Sequence, residues 1–231
     1  VDAMDHDSRP FNYSPVIDAG NPTDPAPPGA GSRADIGYIE QGRVNYYVDD
    51  SYCPTCTNDG LTWQIDAFNT IQDGLDAAHN ALLNLNPSHT EVPQLVVGIA
   101  PGTYHETVTV PSHVLLMGSG AETTTLAGGG ATAVTFSGVT QSGIRDLTIT
   151  NADTAVLIDG ASNAIDLRHN IFTNNNTAVL ATGRATASIE YNTFVNNTTG
   201  LQATDPGSWL IAMHNIVAND ICRDANSPRP L

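Results

Sequence analysis

The sequence predicts a mainly β protein in which short strands wind into a parallel solenoid, with about three strands in each turn. A repeat organises the second half of the chain: the segment Ile144–Asn151 recurs as Leu167–Asn174, Ile189–Asn196 and Ala212–Asn219. Successive copies begin 22 or 23 residues apart. A fixed period of this size is typical of stacked units that bury their apolar faces only against one another.

The order of apolar residues within each copy indicates strands. Apolar and polar residues alternate, as in Ile165–Arg168, and a period of two is typical of strands with one buried face. Residues at the same register are expected to stack into apolar columns that form the core. These columns are Ile144, Leu167, Ile189 and Ala212; then Ile149, Phe172, Phe194 and Val217; then Val156, Val179 and Leu201, after which the third column fails at Asp224.

Asparagine recurs at two registers of the repeat. Asn170, Asn192 and Asn215 share one register, where the first copy has Leu147. Stacked amide side chains hydrogen-bond along parallel coils, so we expect an internal asparagine ladder, the alternative being that asparagine simply suits a turn. A second column is expected in turns with left-handed backbone conformations: Asn151, Asn174, Asn196 and Asn219.

Composition and charge restrict the function. The 231 residues carry a formal net charge of −16, from 24 acidic and 8 basic residues, and every basic residue is arginine. Such an acidic chain is a poor partner for nucleic acid or for an anionic membrane surface. The sequence contains no run of 18 apolar residues, which is the length needed to span a membrane. We expect an extracellular protein with no nucleic-acid partner and no membrane insertion.

Cysteine and aspartate spacing suggests one disulfide and one weak cation site. Cys53 and Cys56 are expected to form a local disulfide, because no second cysteine or histidine pair stands at zinc-ligand spacing. Cys222 is left over, either buried or paired across a subunit boundary. Asp5 and Asp7 are spaced like calcium ligands, although the rest of an EF-hand loop is missing, so Ca²⁺ is the one cofactor considered.

The chain divides into an irregular segment and a β-rich part. Residues 1–43 are rich in proline and glycine and are expected to be extended, with apolar residues that pack onto another surface. These residues are Tyr13, Val16, Ile17, Ile36 and Ile39. Residues 44–231 are expected to form the solenoid, with one amphipathic helix near residues 69–85 that covers its open apolar end. A turn is predicted over Ala100–Tyr104.

Five stretches follow one another at the start of the β-rich part: Tyr46–Asp49, Asn58–Trp63, Phe68–Ala78, Val97–Glu106 and Gly118–Thr124. Together they resemble the opening of right-handed parallel β-helix proteins of the pectin-lyase-like superfamily. With the repeats, the resemblance covers residues 44–222 and implies a right-handed parallel β-helix with one N-terminal capping helix. It is poorly specific for activity, because one fold hosts many functions.

Residues 1–43 resemble the other end of the same superfamily. Ser14–Pro22 and Ala34–Glu40 look like the segment that closes such β-helices at their C-terminus. This order predicts that the segment of one copy completes the open end of the copy before it. Three arrangements remain open: a head-to-tail filament, a slice of a longer tandem chain, and a segment that closes its own stack.

We therefore expect a non-catalytic extracellular structural protein that associates with itself head to tail, as a filament subunit or as a module of a repetitive adhesin-like surface protein. The alternative is a polysaccharide lyase or carbohydrate-binding module, since lyases of this fold imply a base and a group that neutralises a uronate carboxylate. Arg168, His169, Glu190 and Tyr191 on neighbouring turns are the candidates for such a site. These residues are equally consistent with ordinary solvent-facing positions.

Overall fold

The computed structural model describes residues 44–84 and 92–218, together with the backbone of residues 222–223. The chain divides into two units, Val1–Asn45 and Tyr46–Leu231, and the elements below belong to the second. One α-helix, α1, spans Ile71–Leu83. The strands are β1 Tyr46–Val48, β2 Ala67–Phe68, β3 Leu95–Ile99, β4 Gly102–Tyr104, β5 Val108–Thr109, β6 Val114–Gly118, β7 Thr124–Ala127, β8 Thr132–Ser137, β9 Thr140–Arg145, β10 Thr148–Thr150, β11 Thr154–Asp159, β12 Asn163–Arg168, β13 Ile171–Thr173, β14 Thr177–Ala181, β15 Thr186–Glu190, β16 Thr193–Val195, β17 Thr199–Ala203, β18 Trp209–Met213, β19 Ile216–Ala218 and β20 Cys222–Arg223.

The strands form three parallel sheets, and each turn of the chain adds one strand to each sheet. Sheet A has the order β18-β15-β12-β9-β6-β3-β1-β2, sheet B the order β19-β16-β13-β10-β7-β4, and sheet C the order β20-β17-β14-β11-β8-β5. From β3 onward, neighbours in a sheet are therefore three strands apart in sequence, which is the connectivity of a solenoid. The expectation of a mainly β parallel solenoid with one helix is confirmed.

The apolar columns stack as the repeat predicts. Leu167 pairs with Ile144 on one side and with Ile189 on the other, and all three are fully buried. Phe172 and Phe194 pair in sheet B, where their rings stack with centroids 4.9 Å apart. Burial of each such side chain stabilises the fold by about 1.5–3 kcal/mol, so the stack of turns is the source of the core.

One local prediction is wrong, and one column continues further than expected. Gly102–Tyr104, predicted as part of a turn, forms β4, because it pairs with Thr124–Leu126 of the next turn and that pairing outweighs the local Pro-Gly signal. The third column is expected to fail at Asp224, but in sheet C Leu201 pairs with Cys222, so the pairing continues with a last step of 21 residues.

Non-glycine residues with left-handed backbone conformations mark two corners of each of the three turns from β9 to β17. Asn151, Asn174 and Asn196 have φ values of 55°, 56° and 60° at the corner between sheets B and C. Asparagine adopts this region more readily than most residues, because its short polar side chain hydrogen-bonds locally. Asn219 lies outside the described residues.

Asn170, Asn192 and Asn215 form a hydrogen-bonded ladder at the corner between sheets A and B. The Oδ1 atom of Asn192 accepts hydrogen bonds from the backbone N–H of Asn170 at 2.9 Å and from its Nδ2 at 3.0 Å. Asn215 Oδ1 likewise accepts from the backbone N–H of Asn192 at 2.8 Å and from its Nδ2 at 3.2 Å. Each Nδ2 also donates to a backbone carbonyl of the preceding turn, as Asn192 Nδ2 does to Leu167 at 2.8 Å. The side-chain amides thus provide hydrogen-bond partners for buried backbone groups that lie at the corner.

A second ladder, which the sequence did not predict, lies at the corner between sheets B and C. Asn197 Oδ1 accepts from the backbone N–H and from the Nδ2 of Asn175, at 3.1 and 2.9 Å. Asn175 Oδ1 in turn accepts from the backbone N–H of Ala152 at 3.0 Å. Both asparagines are almost fully buried. Asparagine ladders therefore stabilise two of the three corners of the coil.

Helix α1 covers the first turns of the stack. Its buried face consists of Ile71, Gly74, Leu75 and Ala78. Gly74 permits close packing, because an added Cβ would lie 2.9 Å from Cγ2 of Val48 in β1. The N-terminus of α1 is occupied by the Glu106 carboxylate, which accepts from the backbone N–H of Ile71 at 3.0 Å and of Gln72 at 3.3 Å. A carboxylate at this position also complements the helix dipole.

Replacing Asn192 with alanine tests the first ladder. The substitution leaves the backbone N–H and the Nδ2 of buried Asn170 without their acceptor, so we expect the free energy of unfolding to fall by about 2–4 kcal/mol. Urea denaturation followed by circular dichroism measures this loss. Asn176→Ala is the matched control, because Asn176 is exposed and lies outside both ladders; equal effects of the two substitutions would contradict the ladder's role.

Candidate functional site

Charged side chains form a connected network on the outer face of sheet A. Arg145, Arg168 and Glu190 stand in one outward column of β9, β12 and β15. Asp166 lies between the two arginines and accepts from Arg145 Nη2 at 3.1 Å and from Arg168 Nε at 2.8 Å. Arg168 Nη2 lies 3.5 Å from Glu190 Oε2, and Ser188 Oγ donates to Glu190 Oε1 at 2.8 Å. The network crosses three turns of the solenoid.

Beside this network, aromatic side chains stack along the corner between sheets A and B. Asp146, His169, Tyr191 and His214 occupy equivalent positions with φ near 57°. The rings of Tyr191 and His214 are parallel, with centroids 4.9 Å apart, and His169 lies 5.6 Å from Tyr191. His169 Nδ1 is 3.8 Å from Asp146 Oδ1. The left-handed backbone at each corner projects these side chains outward, where His169 and Tyr191 are exposed.

The four candidate residues for a lyase site are therefore neighbours, yet their charged and aromatic groups mainly contact one another and Asp166. Arg168 is held between two carboxylates, which favours its charged form, and a guanidinium stays protonated in proteins. Such a side chain is poorly placed to remove a proton, and its charge is already paired with Asp166 and Glu190. Asp166, which joins the network, was not singled out from the sequence, although its place two residues before Arg168 on the same face was a usable signal.

Two proposed cation ligands, Asp5 and Asp7, lie outside the described residues. Among residues 44–84 and 92–218, no group of three or more histidine, cysteine, aspartate or glutamate side chains is arranged to hold a metal ion. Within the same ranges, no helix is long and apolar enough to cross a membrane.

A disulfide joins Cys53 and Cys56 in the loop after β1. The buried Asn58 side chain braces the same loop: its Oδ1 accepts from the backbone N–H of Cys53 and its Nδ2 donates to the carbonyl of Cys53, both at 3.0 Å. Tyr52 donates to Asp59 Oδ2 at 3.0 Å. Burial raises the pKa of Tyr52, and the hydrogen bond to Asp59 raises that pKa further. Burial likewise raises the pKa of Tyr104, with added repulsion from Asp49 and Asp50.

The last described turn differs from the turns before it. Val217 continues the buried column of Phe172 and Phe194, yet 44% of its surface is exposed, whereas Phe194 is fully buried. Ala212, which pairs with the buried Ile189, is exposed as well. The apolar residues of the expected assembly segment lie outside the described residues: Tyr13, Val16, Ile17, Ile36 and Ile39. The side chain of Cys222 is also outside them.

Residues 115–224 match the family model described as "Right handed beta helix region". With the parallel pairing of the turns, this match confirms the predicted right-handed β-helix. Among solved structures, a pectin methylesterase variant in complex with a hexasaccharide is similar, at 15% identity and a TM-score of 0.42, covering 74% of this chain and 66% of that chain. Pectin methylesterase PemA from Erwinia chrysanthemi is similar at 14% identity and a TM-score of 0.34, with the same two coverages. The chain thus spans 66% of the length of these enzymes. No curated protein sequence matches the chain.

Replacing Asp166 with asparagine tests whether the charged network stabilises the fold. The change leaves Arg145 and Arg168 facing one another without their shared carboxylate, so we expect the free energy of unfolding to fall by about 1–2 kcal/mol, and by less in high salt. Thermal and urea denaturation at two salt concentrations measure the effect. Asp153→Asn, at an exposed carboxylate, is the control and should change stability by less than about 0.5 kcal/mol. A loss no greater than the control's would mean that the network contributes nothing.

Proposed function

We propose that the chain is a non-catalytic structural module of an extracellular assembly, in which residues 1–43 of one copy cover the end of the β-helix in the neighbouring copy. The observation that supports this proposal is the exposed core at the last described turn. There Ala212 and Val217 occupy columns that are buried one turn earlier. Burying such residues is favourable, and a partner that supplies the next layer buries them.

The two ends of the described stack are chemically different. At the first turns, α1 buries Ile71 and Leu75 completely against the core, so that end has its cover. At the other end, β18 and β19 are the last described strands of sheets A and B, and a strand edge at this end would suit strand addition. A contact between one end of a copy and a different end of the next is heterologous, and repetition without closure yields a linear array.

The extracellular placement rests on composition and on the disulfide. Disulfides such as Cys53–Cys56 persist in oxidising compartments, and an acidic surface without lysine remains soluble there. The same features suit a filament subunit and a module of a longer repetitive surface protein, and both need the same junction between copies.

Val217→Asp tests the junction. A carboxylate at the centre of the contact must be desolvated, so we expect self-association to weaken at least tenfold, which corresponds to about 1.4 kcal/mol or more. Sedimentation velocity over a concentration series, with negative-stain microscopy, measures the assembly. Asn174→Asp adds the same charge at an exposed corner and should assemble normally. If the unaltered chain sediments as a single 24.3 kDa species at every concentration, the proposed assembly is wrong.

The alternative activity is favoured by one observation: Arg168, His169, Glu190 and Tyr191 lie together on one exposed corner of the stack. A lyase of uronate polymers would produce unsaturated products that absorb in the ultraviolet, and a binding module would retain such polymers without cleaving them. We expect neither turnover nor retention, because the charges of Arg168 are already paired. Activity or retention that disappears in Arg168→Ala, with folding preserved, would favour the alternative.

A further inference from the structure

The disulfide between Cys53 and Cys56 lies in a surface loop and is open to solvent on one side. Cys56 is exposed, Cys53 is half-buried, and Pro54 and Thr55 between them are exposed. Disulfides exchange when a thiolate attacks one of the two sulfur atoms, at a rate that depends on access to that atom. A thiol in solution therefore reaches the Cys56 side of this bond without unfolding of the chain.

The loop has contacts that do not depend on the disulfide. The side chain of buried Asn58 accepts from the backbone N–H of Cys53 and donates to its carbonyl, both at 3.0 Å. The backbone N–H of Cys56 donates to the same carbonyl at 3.2 Å. Buried Tyr52 donates to Asp59 Oδ2 at 3.0 Å. These hydrogen bonds remain when the S–S bond is broken, so the two sulfur atoms stay close enough for the bond to form again.

The disulfide contributes little to the stability of the fold. In the chain-entropy model, the stabilisation by a disulfide grows with the number of residues that it encloses, and this one encloses only Pro54 and Thr55. The core lies elsewhere: Ile71 and Leu75 of α1, for example, are fully buried. Reduction of the disulfide is therefore compatible with the folded chain.

A neighbouring hydroxyl favours one of the two cysteines as the leaving group. Thr55 Oγ1 lies 3.6 Å from Cys53 Sγ. Because the sulfur of a disulfide carries no proton, the Thr55 hydroxyl is the donor in this contact. If the bond breaks so that negative charge develops on Cys53 Sγ, the same hydrogen bond stabilises the thiolate. Cys56, the more exposed cysteine, is then the one that the incoming thiol attacks.

The charge of the loop selects among thiols. Residues 49–60 include three aspartates, Asp49, Asp50 and Asp59, and no basic residue, and the whole chain has a formal net charge of −16. Such a field raises the local concentration of cations and lowers that of anions, and salt screens both effects. Positively charged thiols therefore reach the disulfide more often than negatively charged ones.

We propose that Cys53–Cys56 is a thiol–disulfide exchange site that prefers positively charged thiols. The thiolate of the incoming molecule forms a bond to Cys56 Sγ, the S–S bond breaks, and its electron pair stays on Cys53 as a thiolate. A second thiolate of the same kind attacks the sulfur of the first molecule and releases Cys56 as a thiolate. Two thiols are thereby oxidised to one disulfide, the protein gains two electrons, and the protons of the two thiols pass to the two cysteines. The exchange does not depend on assembly of the chain.

Reaction of the unaltered chain with two small thiols of opposite charge tests the site and its selectivity. Cysteamine carries a positive charge and 2-mercaptoethanesulfonate a negative one. Free thiols are alkylated at intervals, and mass spectrometry of the peptide that contains Cys53 and Cys56 gives the rate of reduction per thiolate. At about 0.01 M salt we expect cysteamine to react at least fivefold faster, and at about 1 M salt the difference should largely disappear. Equal rates at low salt would overturn the preference.

The fold of the reduced chain is measured in the same samples. We expect an unchanged circular dichroism spectrum and a melting temperature lower by less than about 5 °C. Reduction that proceeds only as fast as the chain unfolds would overturn the proposal. The mixed disulfide, trapped by acid quenching, should carry the small thiol on Cys56 and leave Cys53 to be alkylated; the reverse placement would overturn the assignment of the two sulfurs.

Thr55→Val tests the hydroxyl at nearly constant side-chain shape. Without the donor to the Cys53 thiolate, we expect reduction by cysteamine to slow at least threefold, with the circular dichroism spectrum unchanged. Thr57→Val is the matched control, because Thr57 is an exposed threonine on the other side of Cys56, and it should react at the rate of the unaltered chain. Equal rates for the two variants would contradict the role of Thr55.

Discussion

Parallel pairing between successive turns is the constraint on which every other feature of this protein depends. From β9 to β17, each strand pairs with the strand 21–23 residues later in sequence, so a single turn has neither a complete sheet nor a covered core. The asparagine ladders have the same dependence and a direction: the Oδ1 of each asparagine serves the backbone and the amide of the asparagine one turn before it. Each turn therefore supplies hydrogen-bond acceptors and apolar contacts to the turn before it. The last turn of any stack lacks these contacts unless another layer follows it.

The repeat made most of this fold predictable, because stacked turns impose the same burial on the same register. Ile144, Leu167 and Ile189 could be placed in the core from spacing alone. The ladder of Asn175 and Asn197 could not, since Asn174, Asn175 and Asn176 are adjacent and only the backbone at the corner decides which side chain points inward. The strand β4 and the pairing of Leu201 with Cys222 were missed for a related reason: a long-range parallel partner overrides local turn chemistry and shortens the last step.

The candidate site shows why neighbouring functional side chains do not by themselves make a catalytic centre. Arg145, Asp166, Arg168 and Glu190 alternate in charge along sheet A, and the short contacts run between members of the set. Charges that are paired within one surface lower its repulsion and give it order, whereas a reactive site needs a group whose charge or proton is available to the substrate. Sequence spacing predicted that Arg168 and Glu190 would be neighbours, but it could not predict that Asp166 would hold both arginines.

At the last described turn, inward and outward apolar side chains would be buried by different kinds of contact. Val217 faces the core axis, so a layer stacked on the end of the coil buries it, as Phe194 is buried by the turn that follows. Trp209 and Ile211 face away from that axis, and a layer stacked on the end leaves them in water. A layer that continues the coil therefore buries the inward residues and leaves the outward ones in water, whereas a segment that lay along the side would leave the core open.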